Sequence, residues 1–233
     1  GLVTSHLPGC GYEIQQVHTP EIMCSIDAAR YQISEIPPLE RYSAIGAGPG
    51  LGTHPETQQA LFTLLGKAKV PLVLDADALN ILALHPDWYS LLPENTILTP
   101  HPGEFRRLFG ETENSWIRLE LQREKSREYK IIIVLKGANT SISLPDGRVF
   151  FNPTGNPGMA TGGSGDVLTG IILGLLAQGF SPEKAAIAGA CIHGMAGDFA
   201  AYSTSAQSMI ASSIIDSLYR VFKNIYEYRE PEI

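Results

Sequence analysis

Short β-like runs alternate along the chain with longer segments of helical period. The runs lie at residues 2–5, 22–25, 44–47, 70–74, 96–98 and 131–135, and several are apolar at consecutive positions, as expected of strands covered on both faces. Helical patterns lie between them at 55–68, 76–83, 103–109 and 114–129. Residues 141–144 and 149–151 flank Pro145-Asp146-Gly147 and predict a hairpin. Beyond it, 165–178, 182–202 and 206–226 read as helices. Such alternation predicts an α/β fold, a three-layer α/β/α sandwich whose chemistry sits in loops at the strand ends. No linker or internal repeat divides the chain, so a single domain over 1–233 is expected.

Composition narrows the function. Hydrophobic residues make up 44% and charged ones 18%, as in an ordinary globular protein. A net charge of -7 argues against nucleic acid as a partner, because such binding rests on a basic surface. The basic residues between Arg123 and Arg127 are interleaved with Glu124 and flanked by Glu120 and Glu128, which reads as a solvated helix face. Three cysteines without Cys-x-x-Cys spacing fit reduced thiols in a cytoplasmic protein and not a zinc site. The most apolar window, from Val167 to Leu176, falls well short of the roughly 20 residues that cross a bilayer, so no membrane partner is expected. No charged leader with an apolar stretch opens the chain.

The residues with most chemistry lie in glycine- and proline-rich loops placed after strands. The segment from Asn152 to Asp166 (Asn-Pro-Thr-Gly-Asn-Pro-Gly-Met-Ala-Thr-Gly-Gly-Ser-Gly-Asp) runs straight into an apolar helix. Gly162, Gly163, Ser164 and Gly165 let backbone N–H groups turn toward an anion, and the helix start adds unpaired donors and partial positive charge. Asp166 beside that anion hole is placed to take a proton from a hydroxyl attacking a phosphate. Gly48-Pro49-Gly50-Leu51-Gly52 is a tight turn or a binding loop. In Leu74-Asp75-Ala76-Asp77, one carboxylate is expected to cap the next helix and the other to face Mg²⁺ or its water, with Asp75 the stronger functional candidate. Thr99-Pro100-His101-Pro102-Gly103-Glu104 presents His101 to the site, and Glu104 either reaches metal-bound water or favours the helix start. Lys136-Gly137-Ala138-Asn139-Thr140 suits nucleotide phosphates or ribose, or is a hairpin corner. His193, in a helix of small residues, reads as a packing histidine.

Taken in order, these motifs resemble the ADP- or ATP-dependent NAD(P)H-hydrate dehydratases of the ribokinase-like superfamily, over essentially the whole chain. The resemblance implies a ribokinase-like sandwich with a mostly parallel sheet, and repair of hydrated NADH or NADPH at the expense of ADP or ATP with Mg²⁺. It implies that Asp166 deprotonates the ring hydroxyl, that Gly50, His101 and Asp166 hold the hydrated cofactor, and that Lys136, Gly137, Ala138, Asn139, Thr140 and Gly165 hold the adenine nucleotide. His101-Pro102-Gly103-Glu104 stands where relatives carry an Asn-x-x-Glu motif, which places Glu104 near Mg²⁺. A homo-oligomer, a tetramer, is also implied. Family members begin with a further strand and helix carrying a Gly-Gly-Ser loop, so this chain is expected to be an N-terminally truncated form. A small-molecule kinase of thiazole or hydroxymethylpyrimidine type, and a non-catalytic nucleotide-binding subunit, are the competing readings.

Overall fold

The computed structural model describes residues 1–227. Six short strands form one sheet in chain order: β3 (Ile45–Ala47), β4 (Leu72–Leu74), β5 (Ile97–Leu98), β6 (Ile132–Leu135), β7 (Ser141–Ser143) and β8 (Val149–Phe151). The pairs from β3 to β6 are parallel, and β7 and β8 complete the sheet as an antiparallel hairpin closed by a turn at Gly147. Parallel neighbours need crossover helices, and right-handed crossovers between successive adjacent strands all fall on one face. Helices α2 (Pro55–Lys67), α3 (Ala76–Leu84), α4 (Pro102–Phe109) and α5 (Ser115–Glu128) provide those connections. The other face is covered by α6 (Ser164–Ala177), α7 (Pro182–Ser203) and α8 (Ala211–Glu227).

The strands supply two cores by turns, because successive side chains point to opposite faces. Leu72, Leu74, Leu98, Ile133 and Leu135 pack with Leu61 and Leu65 of α2, Leu79 and Leu82 of α3 and Phe105 of α4. Val73, Ile97, Ile132 and Val134 pack with Leu168 and Ile172 of α6, Ala186 and Ala190 of α7, and Ile214 of α8. This is the expected three-layer sandwich. Among the described residues no helix is long and apolar enough to cross a membrane.

The N-terminal part pairs separately. β1 (Thr4–Leu7) and β2 (Met23–Ile26) form a two-stranded parallel sheet bridged by α1 (Tyr12–His18). Asp27, at the end of β2, clasps the following segment. It accepts hydrogen bonds from the N–H groups of Ala29, Ser34 and Glu35 and from Ser34 Oγ, and lies 3.2 Å from His6 Nε2.

The structure departs from the sequence reading at α8, which begins at Ala211 and not at 206. Ser205 Oγ accepts from the Ser208 N–H at 3.2 Å, and Ser213 Oγ accepts from the Ile210 N–H at 3.4 Å. Serine side chains there compete with helical hydrogen bonding. The sheet positions the site: the carboxyl ends of β3, β4, β5 and β6 share one edge, so the loops from Gly48, Asp75, Thr99 and Lys136 gather there.

Candidate active site

α6 opens on Gly163 in the left-handed conformation at φ 83°, and no side chain caps its first turn. The first N–H groups of an α-helix have no partner inside it, so this uncapped end offers donors and partial positive charge to an anion. Asp166 lies in that first turn and is exposed. The end faces a cavity of about 680 Å³, the size of a small-ligand site. The loop leading to it is stitched down at several points. Asn152 Nδ2 donates to the Ala190 carbonyl at 3.1 Å, Thr154 Oγ1 donates to the Cys191 carbonyl at 3.0 Å, and Asp198 accepts from the Gly155 N–H and Asn156 Nδ2, both at 3.0 Å.

Opposite α6, Lys136 at the end of β6 donates from Nζ to Asp75 Oδ1 at 2.8 Å and stands 3.7 Å from Glu104 Oε2. Asp75 is 1% exposed and caps α3 by accepting the Ala76 N–H at 2.8 Å. Its other oxygen accepts from Thr169 Oγ1 of α6 at 2.7 Å. Asp75 is thus at once the helix cap and the anchor of Lys136. Asp77 accepts the Gly52 N–H at 2.9 Å instead of capping α3. The backbone around Asp75 is tight. Ala76 has φ 45°, and a Cβ on Gly48 would overlap the Asp75 carbonyl oxygen, so only glycine fits there.

His101 and Glu104 form a reciprocal cap at the start of α4. His101 Nδ1 accepts from the N–H groups of Gly103 (3.0 Å) and Glu104 (3.3 Å), and Glu104 Oε2 accepts from the His101 N–H (2.8 Å). In a neutral ring, accepting at Nδ1 leaves the proton on Nε2, 3.5 Å from Glu104 Oε1. The expected helix-start role of Glu104 is thus present, with the residue 6% exposed at the cavity wall.

The cavity brings together most residues singled out in the sequence. Asp75, His101, Glu104, Lys136, Gly137, Ala138, Thr140, Ser164, Gly165 and Asp166 all line it. Asn139, Gly162, Gly163 and Gly50 do not. Gly50, at φ 66°, borders open space, and its loop reaches the site through the contact of Gly48 with Asp75. Gly165 packs against the Lys136–Asp75 pair: a Cβ there would come within 3.1 Å of Lys136 Nζ. Partial burial and the neighbouring Asp75 carboxylate raise the Asp166 carboxyl above its ordinary range, with Lys136 opposing and Glu104 adding to the rise.

His193 packs within α7 and has a hydrogen-bond partner in α6. It lines the cavity, and its Nε2 lies 3.3 Å from Ser164 Oγ at the first turn of α6. Burial pushes its imidazole down to about 4, so it is neutral near pH 7. Its neighbours Gly189, Ala190 and Gly194 gave only a helix-packing signal. Thr169, inside an apolar helix, and Asn152, at a loop edge, likewise carry no local signal of their contacts with Asp75 and the Ala190 carbonyl.

A family model described as NAD(P)H-hydrate dehydratase matches residues 1–220. The bifunctional NAD(P)H-hydrate repair enzyme Nnr of Moorella thermoacetica is 44% identical over 97% of this chain and 45% of its own length. The ADP-dependent (S)-NAD(P)H-hydrate dehydratase of Bacillus subtilis is 40% identical over 79% of this chain and 65% of its own. The chain thus spans less than two thirds of the length of these curated relatives. A crystal structure of the ADP/ATP-dependent NAD(P)H-hydrate dehydratase of B. subtilis, co-crystallised with ATP/Mg²⁺, superposes with a TM-score of 0.81 at 34% identity, covering 96% of this chain and 79% of that one. By sequence and by fold, the chain belongs to the NAD(P)H-hydrate dehydratase family.

Proposed function

We propose that this chain dehydrates hydrated NADH or NADPH, consuming ADP or ATP. The observation that carries the proposal is Asp166 in the uncapped first turn of α6, sharing one cavity with His101 and with the Lys136 loop. The ring hydroxyl of the hydrate attacks the terminal phosphorus of the nucleotide, and its proton passes to the Asp166 carboxylate. The bond from that phosphorus to the bridging oxygen breaks and releases the shortened nucleotide. The phosphorylated ring then loses phosphate, together with a proton from the adjacent ring carbon, and the ring double bond is restored.

Positioning and charge stabilisation dominate phosphoryl transfer, so the chain's donors matter as much as the base. N–H groups over Gly162, Gly163, Ser164 and Gly165 face the transferring phosphate in this reading, and each such donor contributes about 3 kcal/mol. Lys136, Gly137, Ala138, Asn139, Thr140 and Gly165 hold the nucleotide. Gly50 and His101 hold the hydrate, with the His101 ring fixed by the α4 cap. The raised Asp166 carboxyl is a stronger base than an ordinary aspartate.

The donor set fits a hydrated Mg²⁺ better than a protein-caged one. Asp75 already accepts from the Ala76 N–H, Lys136 and Thr169, and among the described residues no group of three ligating side chains comes together. Glu104 keeps Oε1 outside the backbone cap and would hold a metal-bound water, with nucleotide phosphates completing the shell. Bound there, Mg²⁺ supplies neutralisation of the phosphate charge. The test is direct: hydrated NADH or NADPH, incubated with the chain, Mg²⁺ and ADP or ATP, regains the absorbance of reduced nicotinamide. A phosphorylated vitamin precursor formed in place of that recovery, or nucleotide binding without turnover, would contradict the proposal.

A further inference from the structure

The Gly48-Pro49-Gly50-Leu51-Gly52 loop and the His101 cap are joined by a chain of side chains outside the cavity. The Gly52 N–H donates to Asp77 Oδ2 at 2.9 Å, and Asp77 Oδ1 accepts from Asn80 Nδ2 at 3.1 Å. Asn80 Oδ1 in turn accepts from Arg107 Nε at 3.0 Å. The far side of that guanidinium lies against the α4 cap. A Cβ built on Gly103 would meet Arg107 Nη1 at 3.9 Å and the His101 ring at 2.8 Å.

Arg107 is exposed, and among the described residues no carboxylate stands within ion-pair distance of it. Its neighbour Arg106, by contrast, is paired with Glu111 at 3.4 Å. The amide of Asn80 fixes the guanidinium through Nε and leaves the two terminal nitrogens open, which is the fork that recognises phosphate oxygens bidentately. Beside it, Gly48, Gly50 and Gly52 all have positive φ, and nothing lies within 4 Å of the Cβ position of Gly50, so an oxyanion can approach the backbone closely. Lys136, the cation inside the cavity, is already engaged by Asp75 and Glu104.

We infer that Arg107, oriented by Asn80, binds a phosphate of the dinucleotide substrate and sets specificity for it. The inference rests on the proposed function and explains how Gly50, outside the cavity, and His101, inside it, can grip one extended molecule. Two phosphates share the required chemistry: the pyrophosphate present in both hydrates, and the 2′-phosphate present only in the NADPH form.

Steady-state constants for both hydrates at saturating nucleotide, and for the nucleotide at saturating hydrate, test it in wild type, Arg107→Gln, Arg107→Lys and Asn80→Ala. Losing a hydrogen-bonded charge raises KM for the hydrate by about tenfold or more in Arg107→Gln. KM for the nucleotide stays within about twofold. Arg107→Lys recovers part of the loss, and Asn80→Ala, which frees the guanidinium without removing it, gives a smaller rise in the same constant. Equal rises for the two hydrates assign the pyrophosphate; a rise for NADPH hydrate alone assigns the 2′-phosphate. Hydrate constants unchanged in Arg107→Gln, or a nucleotide KM that rises as far as the hydrate one, would overturn the inference while wild-type turnover stands. A wild-type chain that restores neither hydrate would overturn the proposed function and this inference together.

Discussion

Replacing Thr169 by valine removes one hydroxyl from the middle of the molecule and leaves its shape. That hydroxyl is the donor to Asp75 Oδ2, at 2.7 Å, between residues 5% and 1% exposed. Asp75 Oδ1 keeps the Ala76 N–H and Lys136, so the variant leaves one buried carboxylate oxygen without a donor. Thr99 Oγ1 loses a weak 3.4 Å contact and keeps the Leu74 carbonyl. A hydrogen bond to a charged group contributes about 1.5–3 kcal/mol, and valine introduces no cavity, so the expected loss is about 2 kcal/mol. For a chain of this size that is a fall of about 4–8 °C in the thermal midpoint. The nucleotide KM rises as well, because Asp75 is the anchor of Lys136. Thr169→Ser restores most of both. A double-mutant cycle with Asp75→Asn, read by chemical denaturation, returns a coupling of about 1–2 kcal/mol. Additive losses, or a valine variant as stable as wild type, would refute the claim that Thr169 holds the Asp75–Lys136 pair.

Three further outcomes follow from the geometry. Gly48→Ala, at φ 138° and against the Asp75 carbonyl, loses about 3 kcal/mol or more, while Gly50→Ala, at φ 66° in open space, loses about 1–2 kcal/mol; equal denaturation midpoints would contradict this. The acid limb of kcat/KM for the hydrate lies above the ordinary aspartate value of 3.8, because the Asp166 carboxyl is raised and the base is lost as pH falls through it; a limb at or below 3.8 counts against Asp166. Burial pushes the Asp27 carboxyl up, but donations from Ser34 Oγ and from the Ala29, Ser34 and Glu35 N–H groups outweigh it and bring the group down to about 2. Its folded-state value is depressed, so its contribution of about 2 kcal/mol is complete above the unfolded value of 3.8 and lost as pH falls toward 2. Asp27→Asn therefore flattens acid denaturation in that window, and an unchanged acid profile would contradict the clasp.

The strands were legible because β4 and β6 are apolar at every position, and the Pro145-Asp146-Gly147 turn announced the hairpin. α1 was not legible: it has seven residues and none is buried, so no apolar stripe marks it. The cavity lining was legible where loop chemistry and backbone agree, as at Gly165-Asp166 and His101-Pro102. It was opaque where one residue does two jobs. Asp75 caps a helix and anchors a lysine sixty-one positions away, and sequence shows only the first neighbour. Thr169 and His193 act across the fold on Asp75 and Ser164, and their own helices look like packing surface. The Asn80–Arg107 bond likewise joins two helices whose contact no local pattern reports.

The central claim is that Asp166 takes the hydroxyl proton at the head of α6. Its most direct test is the rate of absorbance recovery from hydrated NADH with ADP and Mg²⁺ in Asp166→Asn, beside nucleotide binding to the same variant. The account predicts a fall of about 10²–10⁴-fold in kcat with nucleotide affinity largely kept. Turnover at the wild-type rate would contradict it.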